Sequence, residues 1–307
     1  MTVDGRGFFD LQVNGYSGLD FNSDHLDAEK VRGVCARLRA DGVTNILATV
    51  ITASLPRMLS RIDRIASLIE TDSLIAKTIT GIHVEGPFIS SVAGYVGAHP
   101  AMHVIQANLD TAKRLIDAGG GHVKLVTLAP EADANCVVIG WLRDREIVVA
   151  GGHSDASIEC LRNAIDAGMS LFTHLGNGCP PALPRHDNIV QRVLSLSDRL
   201  FVSFIADGHH VPLFALRNYL KLVPQDRVII VTDAISAAGL GPGRYALGDQ
   251  FVEVDQDGAA WSSDRTHFAG CATPMNRMVE QLRSIAINDE KIAQWTRANP
   301  RRLLGLP

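Results

Sequence analysis

The stretch Gly81-Ile82-His83-Val84-Glu85-Gly86-Pro87-Phe88 decides how this chain is read. A short apolar run ends on a carboxylate and is broken at once by Gly-Pro, so Glu85 reads as the C-terminal tip of a β-strand. Three more stretches end in the same way. Ile147-Val148-Val149-Ala150-Gly151-Gly152 runs into His153, Ser170-Leu171-Phe172-Thr173 into His174, and Val228-Ile229-Ile230-Val231-Thr232 into Asp233. One such residue alone is more often solvated or bonded to a loop. Four at the same end of successive strands are what the mouth of a parallel barrel supplies. Glu85, His153 and His174 together suit a catalytic zinc that keeps a coordination position open for water. The same donor set accepts iron or cobalt as a divalent ion. Asp233 is then available as an acid/base group.

Outward from these four residues, β-branched runs alternate with amphipathic, helix-length segments. Strands are expected at residues 8–13, 43–50, 78–84, 122–128, 147–150, 171–173, 200–206 and 228–232. Helices are expected at 26–40, 57–69, 109–118, 158–167, 189–196 and 213–222, with a weaker pattern at 134–142. In the first of these helices Val31, Val34, Cys35 and Leu38 share one face. Eight strand–helix units imply an α/β (β/α)8 barrel of the TIM type. The competing fold, a doubly wound open sheet, predicts a Gly-rich phosphate loop after the first strand, and Asp10-Leu11-Gln12-Val13-Asn14-Gly15 is not one. Beyond the eighth strand a small hairpin is expected at 245–254 with a turn at Asp255-Gln256-Asp257-Gly258. Helices at 273–286 and 289–298 follow, and Asn299-Pro300 is expected to break the second.

Composition narrows the function classes. With 46% hydrophobic and 20% charged residues over 307 positions, the chain reads as a soluble globular protein with a large core. A formal net charge of −4 gives no basic footprint for nucleic acid. The five cysteines (Cys35, Cys136, Cys160, Cys179, Cys271) are scattered and contain no Cys-x-x-Cys pair, so reduced thiols in a cytoplasmic protein are expected. Residues 1–6 are polar, so no signal peptide is expected, and no apolar run approaches the ~20 residues needed to cross a bilayer.

Seven motifs in this order resemble the amidohydrolase superfamily and, within it, the N-acetylglucosamine-6-phosphate deacetylases. They are Asp10-Leu11-Gln12-Val13-Asn14-Gly15, His83-Val84-Glu85-Gly86-Pro87-Phe88, Gly97-Ala98-His99-Pro100, Gly152-His153-Ser154-Asp155-Ala156, Thr173-His174-Leu175, Ala206-Asp207-Gly208-His209-His210-Val211 and Val231-Thr232-Asp233-Ala234. They span nearly the whole chain. The resemblance implies that Glu85, His153 and His174 are metal ligands, that Asp233 is the catalytic acid/base, and that His99, with Ala98 beside it, holds the substrate near the metal. Two-metal members carry His-x-His on the first strand. Here Gln12 and Asn14 mark a vestigial second metal site, so one divalent ion is expected.

The same resemblance implies substrate contacts from Asn177, Gly178 and His210, and an acyl-covering loop at Phe268, Ala269 and Gly270. It also implies a phosphate-binding Arg185 supplied to the neighbouring subunit of a homodimer. Arg185 is followed by His186-Asp187-Asn188 where the family has Glu-Pro-Gly, and Gly176-Asn177-Gly178-Cys179-Pro180-Pro181 also departs from the pattern. Family members carry a small β-sandwich built from residues outside the barrel. Since the first strand begins by Phe8 and the sequence stops at Pro307, a single barrel domain over 1–307 is expected, with the sandwich absent or vestigial. The activity that the resemblance implies is metal-dependent removal of the N-acetyl group from an amino sugar, first of all N-acetylglucosamine 6-phosphate to glucosamine 6-phosphate and acetate. Two readings compete with it: an amidohydrolase acting on an unphosphorylated or different N-acyl substrate, and a non-catalytic barrel.

Overall fold

The computed structural model describes residues 7–247, 250–265 and 268–307; the polar stretch at 1–6 lies outside the described residues. Eight parallel strands stand side by side in chain order: β1 Phe8–Val13, β2 Val43–Ile51, β3 Ile79–Glu85, β4 Val123–Leu128, β5 Val148–Gly151, β6 Met169–Phe172, β7 Phe201–Ile205 and β8 Val228–Val231. These segments are buried almost throughout, which is why they read as continuous apolar runs rather than alternating ones. Helices cover the outside. In α1 (Ala28–Ala40) the buried residues are Val31, Val34, Cys35 and Leu38, and the Asp27 carboxylate caps the backbone N–H groups of Glu29 and Lys30. α2 (Leu55–Thr71) buries Met58, Ile62, Ile65 and Ile69 in the same manner.

The sheet closes between β1 and β8, and the seam is made mostly by side chains. Val13 bridges Ala234, and Asn14 and Gly15 donate their N–H groups to the Ala234 carbonyl at 2.7 and 3.0 Å. The buried Asp10 carboxylate accepts the Thr232 N–H at 3.1 Å, the Thr232 hydroxyl, and the Gln12 N–H at 3.3 Å. Gly15 has to be glycine. A Cβ there would lie 2.4 Å from the Leu19 carbonyl oxygen and 2.7 Å from the Ser236 nitrogen. This seam fixes the two strands that carry Gln12, Asn14 and Asp233.

Three expectations are modified. The helix expected at 134–142 begins only at α3 (Val137–Arg143), because Asn135 and Cys136 are left-handed, with φ of 57° and 55°. The Asp133 carboxylate instead receives the N–H groups of Val138 and Ile139 at 3.1 and 2.8 Å. The expected hairpin is a three-stranded antiparallel sheet, β9 Gly243–Leu247, β10 Gln250–Val254 and β11 Ala260–Ser262. Residues 248–249, between β9 and β10, lie outside the described residues. Pro300 does not end the last helix: Asp289–Ala293 passes through a π-helical turn at Gln294–Ala298 into Asn299–Leu303. The wider turn accommodates a residue with no N–H to give. Tertiary bonds then hold the segment, as Asn299 donates to the Val228 carbonyl at 2.6 Å and Trp295 to that of Gln225 at 3.1 Å. All five cysteines are free. Among the described residues no helix is long and apolar enough to cross a membrane.

Closure through Asp10 is testable by its pH dependence. Burial pushes this carboxyl up from 3.8 to about 7 against the bonds from Thr232 and Gln12. A raised folded-state pKa contributes stability that is fully present below the unfolded pKa and is lost as pH rises toward the folded value. The stability of the wild type relative to Asp10→Asn should therefore fall between about pH 4 and pH 7 in urea titrations. A difference that grows with pH would contradict this. Asp10→Ala should cost more than Asp10→Asn, because a buried donor left without an acceptor costs roughly 1–3 kcal/mol.

Candidate active site

Glu85, His153, His174 and Asp233 all sit at the C-terminal rim, at or just past the ends of β3, β5, β6 and β8. The last three share a backbone device. His153, His174 and Asp233 have φ of 51°, 31° and 52°, so each strand turns sharply as it ends and throws the side chain toward the barrel axis. Left-handed backbone in a non-glycine residue costs free energy and is retained where the surroundings enforce it.

The Glu85 carboxylate is 2% exposed and faces three imidazoles. His174 Nε2 is 3.1 Å and His153 Nε2 is 3.3 Å from Oε1, while His99 Nε2 is 3.9 Å from Oε2. Burial would raise the Glu85 pKa, but the hydrogen bonds of His153 and His174 hold it well below the usual range. His153 Nδ1 donates to the Tyr95 carbonyl at 2.9 Å, which fixes the ring with Nε2 toward Glu85. Gly178 packs against that ring, where a Cβ would lie 2.9 Å from Nδ1.

These residues fit a divalent ion. Two ligand atoms at ~2.0–2.1 Å from a tetrahedral ion lie ~3.3 Å apart, which matches the separations of Glu85 Oε1 from His153 and His174. Two polar atoms that line the cavity, His174 Nδ1 and Asn14 Oδ1, are buried without a hydrogen-bond partner. Ligand-type atoms of Glu85, His99 and His153 also lie within 4.8 Å of one another. The longer His99–Glu85 distance favours His174 over His99 as the third ligand, with His99 beside the site.

His99 is held from behind. Its Nδ1 lies 2.9 Å from the Thr52 hydroxyl and faces the Thr52 N–H at 3.4 Å. Burial first, then the charge of His153, push its pKa down to about 3. A neutral ring whose Nδ1 accepts an N–H carries its proton on Nε2.

Gln12 and Asn14 take up the Asp233 side of the site. Asn14 Nδ2 donates to Asp233 Oδ1 at 2.7 Å. Gln12 Nε2 donates to Asp233 Oδ1 at 3.1 Å and to Glu85 Oε1 at 3.0 Å, while its own oxygen accepts the Thr173 hydroxyl at 2.8 Å. Burial, and then the charge of Glu85, push Asp233 up to about 6.

A cavity of about 760 Å³ opens over this cluster, and Ala98, His99, Asn177, Gly178, His210, Phe268 and Gly270 all line it. Ala269 does not; it is buried in a satellite core with Ile235, Leu247 and Val252. Arg185 is exposed and lies outside the lining. Thr52, Tyr95, Trp261 and Asp207 also border the site, and none of them has a role among the sequence expectations. Thr52 and Asp207 directly follow β2 and Ala206, so the strand-end criterion that found Glu85 would have found them. Tyr95 acts through its backbone carbonyl and leaves no sequence signal.

No family model matches the chain. A human N-acetylglucosamine-6-phosphate deacetylase is 35% identical over 310 residues, covering 98% of this chain and 74% of that protein. The Bacillus subtilis N-acetylglucosamine-6-phosphate deacetylase is 31% identical over 303 residues, covering 98% and 75%. A solved structure of a mutant N-acetyl-D-glucosamine-6-phosphate deacetylase from Mycobacterium smegmatis, in complex with N-acetyl-D-glucosamine-6-phosphate, superposes with a TM-score of 0.88 at 30% identity. It covers 98% of this chain and 78% of that one. Similarity of this extent runs through every strand end that bears a site residue, and the chain belongs to the N-acetylglucosamine-6-phosphate deacetylase family.

Proposed function

We propose that this chain hydrolyses the N-acetyl group of N-acetylglucosamine 6-phosphate to give glucosamine 6-phosphate and acetate. The observation that carries the reading is Asp233, held by two amides beside the Glu85–His153–His174 group at the floor of an open cavity. Glu85, His153 and His174 are the proposed ligands of one divalent ion, zinc first, with iron and cobalt as alternatives. When bound, such an ion polarises a carbonyl and brings the pKa of water toward neutrality.

The chain's own groups divide the remaining work. Asp233 Oδ1 is occupied by the N–H groups of Gln12 and Asn14, so Oδ2 is the oxygen that takes the proton of the attacking water. Its pKa near 6 lets it accept that proton and pass it on to the departing amine. His99 Nε2–H donates to the acetamide oxygen as negative charge develops there. Gln12 and Asn14 offer amide N–H groups where a second cation would need lone pairs, which favours a single ion. Asn177, Gly178 and His210 are the proposed sugar contacts, and Phe268 and Gly270 the acyl contacts, with Ala269 supporting them from behind. Because Arg185 is exposed away from its own cavity, we assign it to the 6-phosphate of a neighbouring subunit in a homodimer acting in the cytoplasm. The second reading, an unphosphorylated N-acyl substrate, is favoured by His186-Asp187-Asn188 following Arg185 where the family has Glu-Pro-Gly.

Elemental analysis should find one divalent ion per chain. Removal by a chelator should abolish turnover, and two ions per chain would contradict the role given to Gln12. Asp233→Asn should keep the metal content and the melting temperature yet lose at least ~10² in kcat, because an amide cannot accept the proton. Near-normal turnover would assign the base elsewhere. Arg185→Ala should raise KM for the 6-phosphorylated sugar by ~10- to 150-fold, corresponding to the ~1.5–3 kcal/mol of a charge-assisted hydrogen bond. It should leave the slow reaction of the unphosphorylated sugar unchanged. Equal effects on both sugars would give Arg185 a structural role, and a wild type that prefers the unphosphorylated sugar would favour the second reading.

A further inference from the structure

Outside the Glu85 group, Asp207, His210 and Cys271 bring ligand-type atoms within 4.8 Å of one another. Asp207 stands at the C-terminal end of the seventh strand, 3% exposed. Its Oδ1 accepts the backbone N–H groups of His209 and His210, both at 2.9 Å. Its Oδ2 meets His210 Nδ1 at 2.7 Å and the Cys271 thiol at 3.4 Å. All four acceptor positions of the carboxylate are used. The group is therefore a closed hydrogen-bond network rather than a cation site, for Oδ2 and Nδ1 are much closer than the ~3.3 Å kept by two ligands of a tetrahedral ion.

Burial would raise the Asp207 pKa, but the charge and hydrogen bonds of His210 and the backbone bonds bring it down to about 2. An ionised carboxylate only accepts, so the shared proton belongs to His210 Nδ1. Nε2 is then the ring nitrogen left for a ligand, in a residue that lines the cavity and packs against Phe268 at a centroid distance of 5.1 Å. Cys271 ties the network to the catalytic segment. Its N–H donates to the Asp233 carbonyl at 3.1 Å, and its carbonyl accepts the Ile235 N–H at 3.0 Å.

We propose that Asp207 is a positioning residue: its carboxylate, braced by the Cys271 thiol, fixes His210 with the proton on Nδ1 and presents Nε2 to the substrate. That His210 touches substrate rests on the proposed function; the position of its proton does not. In Asp207→Asn the carbonyl oxygen stays with the two backbone N–H groups, so the NH2 group faces His210 Nδ1 and drives the ring proton to Nε2.

The test is nitrogen-15 NMR of histidine-labelled, metal-loaded protein, with the His210 signals identified by their loss in His210→Gln. We expect a protonated Nδ1 in the wild type and in Cys271→Ala, and a proton moved to Nε2 in Asp207→Asn. In parallel, Asp207→Asn should raise KM for the 6-phosphorylated N-acetyl sugar roughly ten- to hundredfold, with kcat within about threefold. It should add nothing further in a His210→Ala background. A bare Nδ1 in the wild type would overturn the proposal whether or not the variant folds. An unmoved proton in Asp207→Asn, or additive losses in the double variant, would overturn it as well. A correctly placed proton in a protein that deacetylates no amino sugar would instead sink the functional reading and leave the positioning intact.

Discussion

The site depends on one amide. Glu85 and Asp233 are buried carboxylates at the mouth of the same barrel, and like charges in a desolvated place repel strongly. Gln12 Nε2 lies about 3 Å from an oxygen of each and gives one N–H to each. It can do so only while β1 lies against β8, and that neighbourhood is set by the Asp10–Thr232 seam. The barrel could have closed with an ordinary ladder, but the ladder here is sparse. Closure and catalytic geometry thus share the same residues, Asp10, Gln12 and Asn14, within five positions of one strand and its exit.

Left-handed φ at His153, His174 and Asp233 is the second constraint. Each of these strands ends in the conformation that turns its functional side chain inward, and each turn is unfavourable by itself. The burial of the strands behind them supplies the compensation, since Val149, Leu171 and Val231 are essentially inaccessible. The imidazoles then brace one another, His99 edge-on to His153 at 4.5 Å and His153 edge-on to His174 at 5.0 Å. A ring held on both sides loses little further freedom when a ligand arrives.

The legible part of the molecule was the part written locally. Strands carried by β-branched runs, and the ligand-type residues that end them, could be read because each run is continuous and each ending is abrupt. The inward face of α1 was legible from the spacing of Val31, Val34, Cys35 and Leu38. What escaped were features set by distant partners. Gln12 meets Asp233 across 221 positions, so nothing near either residue announces the contact. Pro300 read as a stop, but Asn299 and Trp295 fasten the chain to Val228 and Gln225, and those contacts outweigh the local preference. In the loop 268–270, Phe268 and Gly270 face the cavity and Ala269 turns into the satellite core, an alternation that only the sheet beside it determines.

That sheet, β9–β11, decides the environment in which the chemistry would run. Leu247, Trp261 and Phe268 reach from it, or from the segment bridged to it, into the cavity wall. Trp261 and Phe268 pack at a centroid distance of 4.4 Å. Apolar side chains on this side help bury Asp233 at the cavity floor, and desolvation is the largest cause of its raised pKa. The cover is also tied to Asp233 through the Cys271 N–H and the Asp233 carbonyl. Loss of packing among Leu247, Val252 and Ala269 would therefore reach the Asp233 carboxylate in two ways: by admitting water, and by loosening the segment that aims it. A more solvated site would bring the Asp233 pKa down toward that of an ordinary carboxylate. The small antiparallel sheet thus acts on the site through the dielectric around one side chain.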